Sequence, residues 1–234
     1  MPEYLLETID LRKTYVLGEI RVKALRGVNL QIEEGEVIAI MGPSGHGKTT
    51  LLNMLGGLDV PTSGKIFIDG IDISKLSDNE LARFRCEKMG YVFQSYNLIQ
   101  TLTAKENVIL PMSYLGKLSK HEMEKRAVEL LETFGLGDYI NHKPAELSGG
   151  QQQRVAFARA FANEPAIIFG DEPTGALDSK TSKEVLALIR ELNEEKNQTF
   201  ILVTHDPAVG KACDRVVYIK DGRIFEGNPF EEEE

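Results

Sequence analysis

The stretch Gly42-Pro43-Ser44-Gly45-His46-Gly47-Lys48-Thr49-Thr50 constrains this chain more than any other. It follows the apolar run Val37-Ile38-Ala39-Ile40-Met41 and leads into Leu51-Leu52-Asn53-Met54-Leu55. It fits the pattern G-x-x-x-x-G-K-[ST] in the context that pattern needs, a strand before it and a helix after. Glycines at 42, 45 and 47 let the backbone turn tightly, so that its N–H groups converge on an anion at a helix N-terminus. Lys48 adds positive charge for terminal phosphates, and the Thr49 hydroxyl is placed to ligate Mg²⁺. The bland alternative is a glycine-rich turn with no ligand. It leaves both the spacing and the flanking strand and helix to coincidence. The pattern points to an α/β fold that binds a nucleoside triphosphate and leaves the reaction open.

At 234 residues the chain has room for one large α/β domain, or a core with a smaller subdomain. Its 42% hydrophobic and 27% charged residues are ordinary for a soluble globular protein. A net charge of −9 and the lack of a basic block argue against a nucleic-acid partner, because phosphate neutralisation needs clustered Lys and Arg. Cys86 and Cys213 stand far apart without C-x-x-C spacing, so neither a disulfide framework nor a zinc site is expected, and a reducing cytosol is the natural compartment. No apolar run approaches the roughly 18 residues of a membrane span. Met1-Pro2-Glu3-Tyr4 lacks a charged-then-apolar signal, and Glu231-Glu232-Glu233-Glu234 reads as a frayed, solvated end.

Leu5 to Val16 and Val22 to Ile32 alternate apolar and polar residues as strands do, with Leu17-Gly18-Glu19 as the loop between them. A helix from Lys48 stops at Gly56-Gly57, and Lys65 to Asp69 reads as a strand before an Asp69-Gly70 turn. Ser77 and Glu80 have capping-box spacing for a helix reaching Lys88. Gly90 to Gln94 is then a short buried strand whose last residue faces the ligand crevice. From Ser95 to Glu146 the character is loop and helix, with helices expected at Thr103 to Leu110 and Ser119 to Phe134. The latter carries an apolar stripe of Met123, Ala127, Leu130, Leu131 and Phe134. This insertion fits a packing subdomain and a partner-binding arm equally well. Leu147-Ser148-Gly149-Gly150-Gln151 opens a long helix to Asn163, and its exposed N–H groups with the Ser148 hydroxyl suit a phosphate. Ala166 to Phe169 is a strand, Lys180 to Lys196 a helix and Thr199 to Thr204 a strand ending at His205. Arg215 to Lys220 and Arg223 to Glu226 form a hairpin about Asp221-Gly222.

Asp171 and Glu172 follow the apolar run Ala166-Ile167-Ile168-Phe169 and Gly170, so both carboxylates are expected at the C-terminal tip of a buried strand. Neighbouring side chains on a strand alternate, so the two acids can divide the work. Asp171 would hold Mg²⁺, directly or through water, while Glu172 would polarise the water attacking the γ-phosphate. The alternative, an acidic junction capping the next helix, competes well only in the absence of a phosphate loop. His205 also ends an apolar strand and would orient the γ-phosphate or the water.

Gly42 to Thr49, Gln94, Leu147 to Gln151, Ile167 to Glu172, Ala176-Leu177-Asp178 and His205 stand in the order and spacing of the ATP-binding cassette family. The chain resembles that family over nearly its whole length, and Leu-Ser-Gly-Gly-Gln is its most discriminating piece. The resemblance implies a phosphate-loop NTPase core with a mixed sheet, an N-terminal antiparallel β subdomain and a helical subdomain. It implies a single domain over 1–234, with 1–94 and 164–234 as core and 95–163 as helical subdomain and signature. ATP and Mg²⁺ are the implied cofactors, with Thr49, Gln94 and Asp171 around the metal and Glu172, His205 and Gln94 as the catalytic set. In that family two copies dimerise head to tail with ATP sandwiched between them. Ser148 and Gly150, flanked by Gly149 and Gln151, would thus meet the ATP of the opposite copy, and Asp178 would lie at the shared interface. Tyr15 matches the aromatic residue that stacks on adenine, a contact worth about 1–3 kcal/mol by analogy with base stacking; a strand tyrosine packed in the sheet is the alternative. The chain departs from the family in His46, where a small residue is usual, and in Lys48-Thr49-Thr50, where Lys-Ser-Thr is frequent. Thr49 keeps the metal-binding hydroxyl, and the side chain of His46 is expected to point outward, in an inert surface role ahead of the alternative, a pH-dependent nucleotide affinity.

Within the family, Phe93 to Leu98, Leu102 to Val108 and Asp171 to Thr181 look most like the macrolide-exporter and lipoprotein-releasing branch. The chain also ends soon after its hairpin, without the C-terminal regulatory domain usual in sugar importers. The resemblance implies an ATPase that powers export or lipid extraction through an integral-membrane permease subunit, contacted by Ser95 to Glu146. It would lie in the cytoplasm, peripheral on the inner face of the cell membrane. A regulatory ATPase of the cell-division type, signalling across the membrane without transport, shares every catalytic residue and stays open as the alternative.

Overall fold

The computed structural model describes residues 4–230; residues 1–3 and the Glu231–Glu234 tail, read above as a solvated end, lie outside the described residues. In chain order the elements are β1 (Leu6–Leu17), β2 (Ile20–Ile32), β3 (Val37–Met41), α1 (Lys48–Leu55), β4 (Ser63–Ile68), β5 (Ile71–Asp72), α2 (Asp78–Lys88) and β6 (Met89–Phe93). There follow α3 (Ala104–Leu115), α4 (Lys120–Thr133), α5 (Gly149–Ala160), β7 (Ile167–Asp171), α6 (Ser179–Lys196), β8 (Thr199–Thr204), α7 (Pro207–Lys211), β9 (Arg215–Lys220) and β10 (Arg223–Phe225). The chain forms two compact units, residues 1–81 with 190–234 and residues 82–189.

In the first unit β2, β1, β4 and β5 make an antiparallel sheet in that order. The alternation read in the sequence puts Leu6 and Leu11 of β1 and Leu25, Val28, Leu30 and Ile32 of β2 inside. The register slips between Thr8 and Leu11, where Asp10 has a φ of 47°; β1 carries on one residue further than expected and β2 starts two residues earlier, so that Leu17 pairs with Ile20 across the hairpin. The expected Leu17-Gly18-Glu19 loop therefore shrinks to Gly18-Glu19, which leaves a tight hairpin turn. A second set of strands is built on β3, with β8 and β9 parallel on its two sides and β10 antiparallel to β9. The sheet is thus mixed. Val37 to Ile40 are all fully buried, the continuous apolar pattern of a parallel strand covered on both faces. α1 packs against β2 and β8 through Leu51, Leu52, Met54 and Leu55.

In the second unit β6 and β7 pair in parallel. The helices α3, α4 and α5 pack on one another, and Phe134 stands between Phe157 and Phe161 at ring distances of 6.3 and 5.8 Å. Ala127, Leu131 and Phe134 of the expected stripe are buried, while Met123 and Leu130 are only half-buried. Each of these helices starts with a capping box, Thr103 with Glu106, Ser119 with Glu122 and Ser148 with Gln151.

Two helix ends differ from the sequence expectation. α3 runs through Pro111 to Leu115 instead of stopping at Leu110. Proline removes one rung of the helix, but Val108 and Met112 bury their side chains on either side of it. The Pro111 carbonyl accepts bonds from Cys86 Sγ at 3.2 Å and Asn163 Nδ2 at 3.2 Å. α5 ends at Ala160, short of Asn163, because Asn163 spends its amide on Pro111 and on the Cys86 carbonyl at 2.9 Å, and Glu164 turns with a φ of 52°. In the first unit, the short helix α7 was not foreseen; Asp206 caps it at Ala208 N–H and Pro207 fills its first position.

Candidate functional site

The loop from β3 to α1 lies against β2 and the β9–β10 hairpin. Gly47 caps α1 with a φ of 106°, and a Cβ there would stand 2.7 Å from the Ala24 carbonyl oxygen. A Cβ on Gly42, whose φ is 153°, would collide with the Ile219 carbonyl oxygen. Glycine is therefore required at both positions by conformation and by close backbone approach. Gly47 has no side chain with which to cap α1 and no acid lies in the helix's first turn, in contrast to the boxed starts of α3, α4 and α5. Its N-terminal N–H groups and the positive end of its dipole are left for an anion. Lys48 curls back, donating to the carbonyls of Gly42 at 2.7 Å and Pro43 at 2.9 Å, and so holds its ammonium over the loop. The loop borders a cleft of about 650 Å³ whose walls include Ser44 to Thr50, Tyr15, Val22 and the cations Arg21, Lys23 and Arg26.

His46 departs from the outward, inert role expected for it. Its Nδ1 accepts the Asp221 N–H at 3.0 Å, and its carbonyl accepts the Gly222 N–H at 3.1 Å. Its ring stands edge-on to Phe230 at 6.1 Å. Asp221 Oδ1 lies 3.5 Å from the same nitrogen. The side chain pins the tip of the loop to the hairpin turn, a tertiary contact invisible in the linear motif. Replacing His46 by Ser removes one hydrogen bond and one ring contact and is expected to lower unfolding free energy by about 1 kcal/mol. Urea denaturation checks this, and an unchanged midpoint would show that the contact is idle.

β3 and β8 pair in register from Val37 with Phe200 to Met41 with Thr204. Gly42 and His205 therefore leave neighbouring strands at the same level, and His205 is exposed there. The second unit repeats this arrangement. β6 and β7 pair with Phe93 opposite Asp171, so Gln94 and Glu172 also leave neighbouring strands together. Gln94 lies just past β6 rather than ending it, and Asp171 closes β7 rather than following it. Glu172 sits in the left-handed region with a φ of 48°, and its carbonyl accepts the Gly175 N–H at 2.9 Å. A Cβ on Gly175 would stand 2.9 Å from Gln94 Nε2 and 3.3 Å from Glu172 Cβ. Gly175 thus clears the space in which the Gln94 amide approaches the Glu172 turn. Its place in Pro173-Thr174-Gly175, directly after the paired acids, is the signal for this approach in the sequence.

At the start of α5, Ser148 Oγ accepts the Gln151 N–H at 3.3 Å while Gln151 Oε1 accepts the Ser148 N–H at 2.8 Å. The hydroxyl expected to meet phosphate thus also caps its own helix. A Cβ on Gly149 would lie 2.9 Å from the Tyr96 hydroxyl, and one on Gly150 2.6 Å from Thr181 Cγ2. Asp178 accepts the N–H groups of Lys180 at 2.9 Å and Thr181 at 3.1 Å, and the Thr181 hydroxyl at 2.7 Å. These bonds, the Thr181 hydroxyl first, hold its carboxyl below the usual range. Asp178 therefore orients the threonine that abuts Gly150, which joins two of the expected interface positions. Arg159, not singled out in the sequence, donates to the carbonyls of Tyr96 at 2.8 Å and Asn97 at 2.5 Å and holds the loop that follows Gln94.

The chain matches the family model described as ABC transporter over residues 25–175. It is 52% identical over 218 residues to the uncharacterized ABC transporter ATP-binding protein MJ0796 of Methanocaldococcus jannaschii, covering 92% of this chain and 93% of that one. It is also 52% identical over 221 residues to the macrolide export ATP-binding/permease protein MacB of Syntrophobacter fumaroxidans, covering 94% of this chain but 31% of the relative. Among solved structures it resembles the dimeric post-hydrolysis state of the ATP-binding cassette MJ0796 bound to ADP and Pi, with a TM-score of 0.87 and 48% identity across 96% of this chain and 100% of that one. The structure of cbiO1 from Clostridium perfringens, described as part of the ABC transporter complex cbiONQ, has a TM-score of 0.85 at 33% identity, covering 98% of this chain and 90% of that one.

Proposed function

The chain belongs to the ABC transporter family as an ATP-binding and ATP-hydrolysing cassette, and from that membership we propose that it drives a transporter of the export or lipid-extraction type as a head-to-tail homodimer. The observation that carries the export reading is the likeness of 94% of this chain to part of MacB, whose name joins an ATP-binding part to a permease. Among the described residues no helix is long and apolar enough to cross a membrane, and the ATP-binding/permease name of MacB supports an integral-membrane permease as the partner. Ser95 to Glu146 supply the arm that meets it, and the cassette lies on the inner face of the cell membrane.

Each site residue has a task that its position suits. Gly42 to Thr50 cradle the phosphates, and Lys48 neutralises their charge. The Thr49 hydroxyl, the Asp171 carboxylate and the Gln94 side-chain carbonyl are hard oxygen donors, the kind Mg²⁺ takes, and these three would hold it. When bound, the ion would supply neutralisation of phosphate charge. Glu172 takes a proton from the water as its oxygen attacks the γ-phosphorus, and the bond to the β–γ bridging oxygen breaks to leave ADP and phosphate. His205 orients the γ-phosphate. Tyr15 stacks on the base, and Ser148, Gly149, Gly150 and Gln151 reach the ATP held by the other copy, with Asp178 at the shared boundary.

Purification from detergent-solubilised membranes tests the assignment. A tagged chain is expected to bring down an integral-membrane subunit that changes its ATPase rate. Recovery of the chain free of any membrane protein, with full activity, would overturn the transporter reading.

A further inference from the structure

Tyr15 lines the cleft, and its ring is held by a small charged network. Its hydroxyl donates to Asp59 Oδ2 at 2.9 Å. Lys13 Nζ donates to Asp59 Oδ1 at 2.6 Å and to the Val60 carbonyl at 2.7 Å, and the same ammonium lies 4.9 Å from the centre of the Tyr15 ring. The Lys13 and Asp59 side chains are only 12% and 31% exposed, so water screens the pair weakly. Burial pushes the Asp59 carboxyl up, but the bonds from Lys13 and Tyr15 outweigh it and keep the group below its ordinary value. Asp59 itself belongs to the turn that ends α1, where its N–H and that of Leu58 both reach the Asn53 carbonyl. Thr62 of the same turn accepts the Thr14 N–H at 2.9 Å. The helix that opens at the phosphate loop is thus tied, at its far end, to the strand that carries the aromatic ring.

We propose that Asp59 and Lys13 are positioning residues for the nucleotide: Asp59 fixes the Tyr15 ring by its hydroxyl, and Lys13 covers the ring while locking Asp59. This rests on the assignment of Tyr15 to base stacking. Tyrosine has two side-chain torsions, and fixing them before the base arrives lets stacking appear in affinity without the ordering loss. The ammonium near the ring adds a cation–π attraction that keeps it from swinging into the cleft. A plain ion pair stapling β1 to the turn after α1 would look similar in a stability measurement. It differs in one respect, because it has no reason to act on the base in particular.

Calorimetric titration with ATP and with inorganic tripolyphosphate separates the two, since tripolyphosphate fills the phosphate loop and has no base. Tyr15→Ala is expected to weaken ATP about tenfold or more. Tyr15→Phe keeps the stacking face but drops the tether, and it and Asp59→Asn are each expected to weaken ATP roughly threefold or more. The double variant Tyr15→Phe with Asp59→Asn should lose less than the two single losses combined, because both remove the Tyr15–Asp59 bond. Tripolyphosphate should bind all of them as it binds the parent. If Tyr15→Ala loses ATP affinity while Tyr15→Phe and Asp59→Asn keep it, the stacking stands and the tether is wrong. If Tyr15→Ala keeps ATP affinity, the stacking itself is wrong and the tether falls with it. An equal loss for ATP and tripolyphosphate in Asp59→Asn identifies a plain structural pair and overturns the proposal. Where Asp59→Asn does not fold, Tyr15→Phe and Lys13→Met carry the same comparison.

Discussion

Glu172→Gln is expected to bind ATP with the affinity of the parent and to hydrolyse it at least about a hundredfold more slowly, the lower range of effect for a lost general base. Glutamine keeps the length and shape of the side chain and cannot accept the proton from water at neutral pH. The backbone there is already in the left-handed region at a φ of 48°, held by the Gly175 N–H on its carbonyl, and the substitution adds no atom that would disturb this turn. The cleft beside the phosphate loop is lined by residues between Tyr15 and Thr50 together with Asp221 and Gly222, none of them altered. Binding and turnover should therefore separate. With hydrolysis blocked, the ATP-bound dimer has no route to reopen, so size-exclusion chromatography in MgATP should show a dimer for the variant and largely monomer for the turning-over parent. Turnover within tenfold of the parent would remove Glu172 from its role.

The phosphate loop was legible from sequence because phosphates impose backbone conformations that only certain residues adopt. Gly47 at a φ of 106° and Gly42 against the Ile219 carbonyl are requirements written at fixed spacing in the chain. The strands were legible for a similar reason, since Val37 to Ile40 are buried on both faces and their apolar run states it directly. What escaped depends on partners remote in sequence. Nothing near His46 announces Asp221 or Phe230, so an outward side chain was the natural expectation, and the imidazole instead closes onto the hairpin. Pro111 is a local stop signal overruled by tertiary bonds from Cys86 and Asn163. The same two partners explain why α5 ends early at Ala160, since the Asn163 amide is engaged elsewhere. Ser148 is a different case, because its spacing to Gln151 is the capping-box spacing recognised at Ser77 and Glu80, yet the glycines between drew the reading toward phosphate alone. Arg159 and Asn107 carried no local signal. Asn107 is fully buried and spends its amide on Ile99, Leu102 and Thr103, which only the folded loop brings within reach.

That double duty of Ser148 decides how the dimer should be tested. Ser148→Ala would remove a helix cap, a loss of about 1 kcal/mol, and confuse a folding defect with a catalytic one. Ser148→Asp avoids this, because aspartate caps as well as serine and suits the positive end of the α5 dipole. It places a negative charge where the phosphates of the opposite copy's ATP are proposed to lie, and turnover is expected to fall at least about a hundredfold through like-charge repulsion at close range. Its thermal stability and its binding of ATP to the monomer should stay near those of the parent. Lys48→Ala is expected to be inactive on the phosphate-loop side, since it loses the ammonium held over Gly42 and Pro43. In a head-to-tail dimer of these two variants, both defects fall in one composite site, and the other site takes its phosphate loop from the Ser148 variant and its signature from the Lys48 variant, both intact. Equal mixing makes half of the dimers mixed, so recovery of up to about a quarter of parental turnover is expected if the sites act independently. A cassette that completed its site from its own Ser148 would gain nothing from mixing, and two inactive proteins would remain inactive together.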